Sequence, residues 1–148
     1  MTDDAFMREA LVLATSAEAA GEVPVGAVLV LDGQVIGRGY NSPVSRNDPT
    51  AHAEMVAIRE AAKRAGNYRL SGASLYVTME PCVMCAGAIV HARIEKLVFA
   101  ARDLRFGGVR SKFRLADSDL LNHRVDIIEG VCGPESIAML QAFFAKRR

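Results

Sequence analysis

A chain of 148 residues has the usual size of one domain, and with 51% hydrophobic residues it can bury a substantial core. The net charge of +1 says little about partners, and three cysteines do not make a disulfide framework. No run approaches the roughly 18 apolar residues of a membrane span, and Met1 to Phe6 carries two aspartates and no basic, apolar leader. A single unit over residues 1–148 is expected, in a reducing compartment, the cytoplasm.

Asp3 to Ala20 is predicted as an amphipathic helix, with Phe6, Ala10, Leu13, Ala14 and Ala17 at helical spacing and Gly21 to stop it. Val25 to Leu31 is a continuous apolar run, and Gln34 to Tyr40 follows it after Asp32-Gly33, a two-residue hairpin signal. Asn41 to Pro49 is a polar loop. A helix then runs to about Arg64, with Asp48 and Thr50 as rival N-caps and Met55, Ile58 and Ala62 turned inward. Leu75 to Thr78 and Leu97 to Ala101 are predicted as short buried strands, and Val125 to Ile128 as the last. A final helix spans about Pro134 to Lys146, with Ile137, Leu140, Gln141 and Phe144 as its stripe. Strands alternating with helices after residue 50 imply parallel crossovers, whereas the initial hairpin is antiparallel. The expected fold is α/β with three layers, α/β/α, around one mixed sheet of about five strands.

Chemistry concentrates in Thr78 to His91. Pro81 suits the first position of a helix, and Cys82 and Cys85, three apart, fall on one face of its first turn. The positive end of the helix dipole favours thiolate, the form that binds metal. Ala86 to Val90 has no polar side chain and is expected to be buried nearly all round. Upstream, Thr50-Ala-His-Ala-Glu54 offers a nitrogen from His52. One histidine and two cysteines leave a fourth zinc position open, the mark of a catalytic site and not a structural one. Glu54 then stands ready as a general acid/base. The set fits the known H-x-E…P-C-x-x-C signature of zinc nucleobase deaminases. A redox dithiol uses the same cysteine spacing, but it leaves His52 and Glu54 without a task. Cys132 reads as a packed, inert residue, and His91 and His123 as structural or surface histidines.

Charge is unevenly spread. Five acids stand against one base up to Glu22, and seven bases against two acids from Arg93 to Arg114. The chain ends Lys146-Arg147-Arg148. Such a flank suits a polyanionic substrate, although either cluster alone reads as a solvated face. Asn41 is either a turn residue or a hydrogen-bonder to a base or ribose. Phe143 and Phe144 beside Arg147 and Arg148 are either a frayed helix end or a stacking and phosphate-gripping tail for unpaired nucleic acid.

The chain resembles the bacterial tRNA-specific adenosine deaminases, within the cytidine deaminase-like superfamily. The resemblance lies in Glu22 to Ala27, Gly39 to Pro43, Asp48 to Glu54, Asn67 to Leu70, Thr78 to Ile94, Ala101 to Asp103, Asn122 to Val125 and the Phe143-Phe144…Arg147-Arg148 tail. It implies hydrolysis of adenosine to inosine at the wobble position of a tRNA anticodon stem-loop, by a homodimer; the composition adds the expectation of a cytoplasmic protein with no membrane association. His52, Cys82 and Cys85 would bind Zn2+ and Glu54 would move protons. Asn41, Asp103, Phe144 and Arg147 would contact substrate. Many relatives continue after the Asp103 position with a Lys-Thr-Gly-Ala-Ala-Gly-Ser type loop; here it reads Leu104-Arg-Phe-Gly-Gly-Val-Arg-Ser111, bulkier and more basic. The rival readings are a deaminase of a free base or nucleoside, and a non-catalytic RNA-binding subunit that keeps zinc for folding.

Overall fold

The Thr2 hydroxyl accepts a hydrogen bond from the Ala5 amide at 3.1 Å and starts α1, Asp3–Ala19, in the computed structural model, which describes residues 1–147. Arg148 of the basic tail lies outside the described residues. β1 (Gly26–Leu31) and β2 (Gln34–Tyr40) form the expected hairpin. Asp32 and Gly33 both hold positive φ, 52° and 78°, as a type I′ turn demands.

Three further strands complete the sheet: β3 (Ser74–Met79), β4 (Lys96–Ala101) and β5 (Asp126–Glu129). The order is β2-β1-β3-β4-β5. β1 is antiparallel to both its neighbours, whereas β3, β4 and β5 run parallel. Between the polar segment and β3 come α2 (Pro43–Arg46) and α3 (Ala53–Ala65). The crossover from β3 to β4 is α4 (Val83–His91), and α5 (Gly133–Ala145) closes the fold after β5. Ala53, Ala57, Ala61 and Ile89 pack on Leu29, Leu75, Val77 and Phe99 on one face. Phe6, Met7, Ala10 and Leu11 pack on Val28, Val30, Tyr76 and Val98 on the other. The mixed α/β/α sandwich is therefore as expected, and no helix of the described residues is long and apolar enough to cross a membrane.

Several local expectations are corrected. The polar loop contains α2, because the buried Glu22 carboxylate accepts from the Val44 and Ser45 amides at 3.3 and 2.7 Å, an anion set at a helix start from far away in sequence. The N-cap of α3 is neither Asp48 nor Thr50 but His52; Asp48 instead accepts from the Thr50 amide at 2.9 Å in a local turn. The inward face of α3 is Ala53, Ala57 and Ala61, with Met55, Ile58 and Ala62 only half-buried. The reason lies in β2: a Cβ at Gly37 or Gly39 would fall 2.2 Å from the Ala57 carbonyl or 2.4 Å from that of Ala53. Helix and strand touch backbone to backbone, which only small residues allow.

Pro81 precedes the N-cap of α4, Cys82, and so stands outside the helix. That helix is also not buried all round: Cys85, Ala86, Ile89 and Val90 are, while Val83 is exposed and Gly87 and Ala88 are half-buried. On α5 the stripe is turned by about one residue, to Ser136, Leu140 and Phe143, leaving Ile137, Gln141 and Phe144 outward. A polar residue sets that phase, since the Ser136 hydroxyl donates to the Thr78 carbonyl at 2.5 Å.

Candidate active site and metal centre

Two helices point their N-termini at one place. His52 caps α3 and Cys82 caps α4, and neither makes a side-chain capping bond to its helix. Both are therefore free to face each other. The His52 Nδ1 lies 3.5 Å from the sulfurs of Cys82 and Cys85, and the three donor atoms fall within 4.8 Å of one another. A tetrahedral zinc with Zn–S of about 2.3 Å and Zn–N of about 2.0 Å separates its nitrogen and sulfur ligands by about 3.5 Å. The donor set fits the ion in both chemistry and spacing. A hydrogen bond from Cys85 holds the Cys82 thiol down to about 4, so one thiolate is already favoured. The same bond, with burial, pushes Cys85 up. His52 is raised by its bond to Cys82.

Glu54 lies in the first turn of α3, two residues beyond His52, and is 4% exposed. Burial pushes its carboxyl up to about 7. A carboxyl poised near neutrality can both take and return a proton. His52, Glu54 and Cys82 line a cleft of about 1000 Å³ whose walls include Asn41, Asp103, Phe144 and Arg147. Glu54 and the four residues expected to contact substrate, Asn41, Asp103, Phe144 and Arg147, thus share one cleft with His52 and Cys82.

A family description, the cytidine and deoxycytidylate deaminase zinc-binding region, matches residues 1–101. The tRNA-specific adenosine deaminase of Haemophilus influenzae is 51% identical over 147 residues, covering 99% of this chain and 85% of that protein. Its counterpart from Bacillus subtilis is 46% identical over 146 residues, covering 99% and 91%. This chain belongs to the tRNA-specific adenosine deaminase family. A solved structure from a study of A-to-I editing by tRNA:A34 deaminases at the wobble position of transfer RNA superposes with a TM-score of 0.88 at 49% identity, covering 91% of this chain and 98% of that one. The family is one of zinc-dependent deaminases, and zinc is the cofactor that the triad fits.

Within this deaminase-family fold, each wall residue reaches the cleft by a different device. Asn41 follows β2 directly, its amide bonded to the Val25 carbonyl at 3.0 Å, which fixes its backbone at the cleft's edge. Asp103 follows β4 and spends one carboxylate oxygen on its own loop, accepting from the Arg105 and Phe106 amides at 3.0 and 3.1 Å. Phe144 and Arg147 come from the last turns of the chain. The tail expectation divides here. Phe143 is a core residue, 4% exposed, and Arg147 folds back over its ring, 3.4 Å from the centroid. Phe144 is the aromatic that faces the cleft.

The basic loop divides too. Arg102 makes a forked pair with Glu129 at 2.7 and 3.0 Å, and Arg110 another with Asp117 at 2.9 and 2.8 Å. Both are tied to the protein, leaving Arg105, Lys112 and Arg114 as the outward cations of the group. Sequence reasoning missed Phe106 and Phe113, exposed aromatics on the cleft wall. A signal existed, because each stands beside basic residues, an interleaving typical of single-strand binders. It also missed Glu80, whose carboxyl sits below the ordinary glutamate range: burial opposes ionisation, but bonds from Ser111 and from loop amides outweigh it.

Proposed function

We propose that the chain deaminates adenosine to inosine at the wobble position of a tRNA anticodon, with His52, Cys82 and Cys85 as zinc ligands and Glu54 as the proton carrier. The observation that carries this reading is the buried Glu54 beside a three-donor metal site, at the floor of a cleft walled by Phe144, Arg147, Arg105 and Phe106. Held by His52, Cys82 and Cys85, zinc would supply a water whose pKa is lowered from 15.7 towards about 7. Glu54 takes that water's proton and delivers it to the ring nitrogen beside the amino-bearing carbon. A second proton, released as the new C–O bond becomes a carbonyl, goes through Glu54 to the amino group, which departs as ammonia. Water is consumed, one C–N bond breaks and one C–O bond forms. Asn41 and Asp103 hold the nucleoside. In an anticodon loop the bases are already splayed, so extruding the target costs little.

Glu54 disfavours a zinc site kept only for folding, since a structural site needs no buried carboxyl beside it. The aromatic and cationic walls disfavour a free base as substrate, since a small neutral base needs neither. Mass analysis of products after incubation with total tRNA, an anticodon stem-loop, guanine and cytidine separates these readings. Turnover of guanine or cytidine alone would replace the proposal with the rival one, a deaminase of a free base or nucleoside. For the rim, Phe144→Ala is expected to weaken stem-loop binding by about 1–3 kcal/mol, the cost of losing one stacked base, without altering zinc content. Arg147→Ala should flatten the salt dependence of binding by about 0.7 in the log–log slope if it meets one phosphate. Titrations at several salt concentrations, with melting temperatures beside them, decide both.

Residues 1–148 act as one catalytic unit, and the unit works as a homodimer in the cytoplasm. Support for pairing comes from α4, whose exposed Val83, half-buried Met84 and bare Gly87 leave an apolar strip uncovered. Support for the compartment comes from the lack of any disulfide among the three cysteines, two of which would be zinc ligands. Light scattering at working concentration should give twice the chain mass; a monomer removes the dimer from the proposal.

A further inference from the structure

The segment between β4 and β5 forms no helix or strand, and the hydrogen bonds that side chains outside it make to the amides of its first half converge on one point. That point is Glu80, the residue between the end of β3 and the Pro81-Cys82 pair, 3% exposed. Its Oε2 accepts from the Val109, Arg110 and Ser111 amides at 3.1, 2.7 and 2.9 Å. Its Oε1 accepts from the Asp103 amide at 3.1 Å and from the Ser111 hydroxyl. One carboxylate thus gathers five donors from residues 103 to 111.

The fit is also steric. A Cβ on Gly107 would sit 2.4 Å from the Glu80 carboxylate, and one on Gly108 would sit 2.9 Å from the Cys82 carbonyl carbon. The Gly108 amide donates to the Pro81 carbonyl at 2.8 Å, and Cys82 and Gly107 form an isolated bridge. The loop therefore lies directly on the three residues that lead to a metal ligand. It carries Asp103, Arg105 and Phe106 into the cleft wall. Among the charged side chains of this region, Arg102 and Arg110 pair with Glu129 and Asp117, so neither neutralises Glu80 by a direct ion pair. Its charge is balanced by loop amides and a hydroxyl.

We propose that Glu80 is a positioning residue for substrate: its carboxylate sets the height of the 103–111 loop above the metal site, and through Asp103, Arg105 and Phe106 the grip on the nucleotides at and beside the target. A buried anion whose lone pairs are all engaged by one loop gives that loop a single resting place. The inference rests on the deaminase reading above for the identity of the substrate, and on the hydrogen bonds alone for the fixing of the loop.

Glu80→Gln keeps the size of the side chain but turns an amide NH2 towards backbone donors. The variant should bind zinc at the wild-type ratio, raise KM for an anticodon stem-loop about tenfold and change kcat far less. Trypsin should cut it faster than wild type at Arg105 and Lys112, because the loop is released. Ser111→Ala, which loses only the hydroxyl donor, should raise KM by a smaller factor. In the double variant the two factors should not multiply, since both act through one carboxylate. A purely structural role predicts a lower melting temperature, a smaller active fraction and an unchanged KM, and that result overturns the inference. So does loss of zinc, or an unchanged trypsin rate. If Glu80→Gln does not fold, an unchanged KM in Ser111→Ala overturns the inference just as well. A wild-type protein that deaminates no stem-loop sinks the functional reading instead, while the trypsin comparison still judges the loop.

Discussion

Replacing Glu54 with alanine is expected to abolish turnover while zinc stays bound. Glu54 is nearly inaccessible, stands in the first turn of α3 and is absent from the triad of converging donors. Removing it takes away the proton carrier and leaves His52, Cys82 and Cys85 in place. General acid–base groups contribute about 10²- to 10⁴-fold, and here one residue serves both transfers, so the upper end or beyond is expected. Glu54→Gln should be as inactive, although it fills the same space; this separates proton transfer from packing. Metal analysis run beside the assay decides the matter. If zinc disappears together with activity, Glu54 belongs among the ligands and its role as a carrier is wrong.

The second large effect concerns the metal. Cys85 is fully buried and joins α4 to His52 at the start of α3. Cys85→Ala, or chelation of the wild type, should remove activity and destabilise the fold together, because binding energy spent on a site absent from the unfolded chain is folding energy. At a thousandfold excess of zinc over its Kd the ion stabilises by about 4 kcal/mol. For a chain of this size that corresponds to a fall on the order of 10 °C in Tm when it is withdrawn. Melts with and without chelator measure it. An identical curve after verified zinc removal refutes the folding role and leaves the ion a purely catalytic one.

The hairpin, the parallel crossover through α4 and the metal triad were legible in the sequence because their causes are local. Asp32-Gly33 forces its own turn, and the two cysteines are three residues apart whatever the fold does around them. The errors share a different cause. On α3, Met55, Ile58 and Ala62 were expected inside, but Gly37 and Gly39 on another element bring a backbone so close that Ala53, Ala57 and Ala61 go there instead. On α5, Ser136 finds a carbonyl 58 residues away in sequence and rotates the whole stripe. Glu80 was invisible as an anchor since its donors lie 23 to 31 residues further on. The site was read through its metal motif; its walls were read only in part, because Phe106, Phe113 and the division of labour between Phe143 and Phe144 depend on which way a loop and a helix end face.

The placement of His52 and Cys82 as helix N-caps without capping bonds has a consequence for anyone wishing to toughen this protein. Introducing Ser, Thr, Asp or Asn at a bare N-cap is among the simplest routes to thermostability and contributes roughly 1 kcal/mol per helix. At α3 and α4 that route is closed, because the residues that would have to change are the ones that face the metal. α1 offers nothing either, since Thr2 already caps it, and the bare N-cap that remains open to the change is Cys132 on α5. Heat resistance must be sought in the outer layer of the fold, away from the two helices whose ragged beginnings are the price of having chemistry there at all.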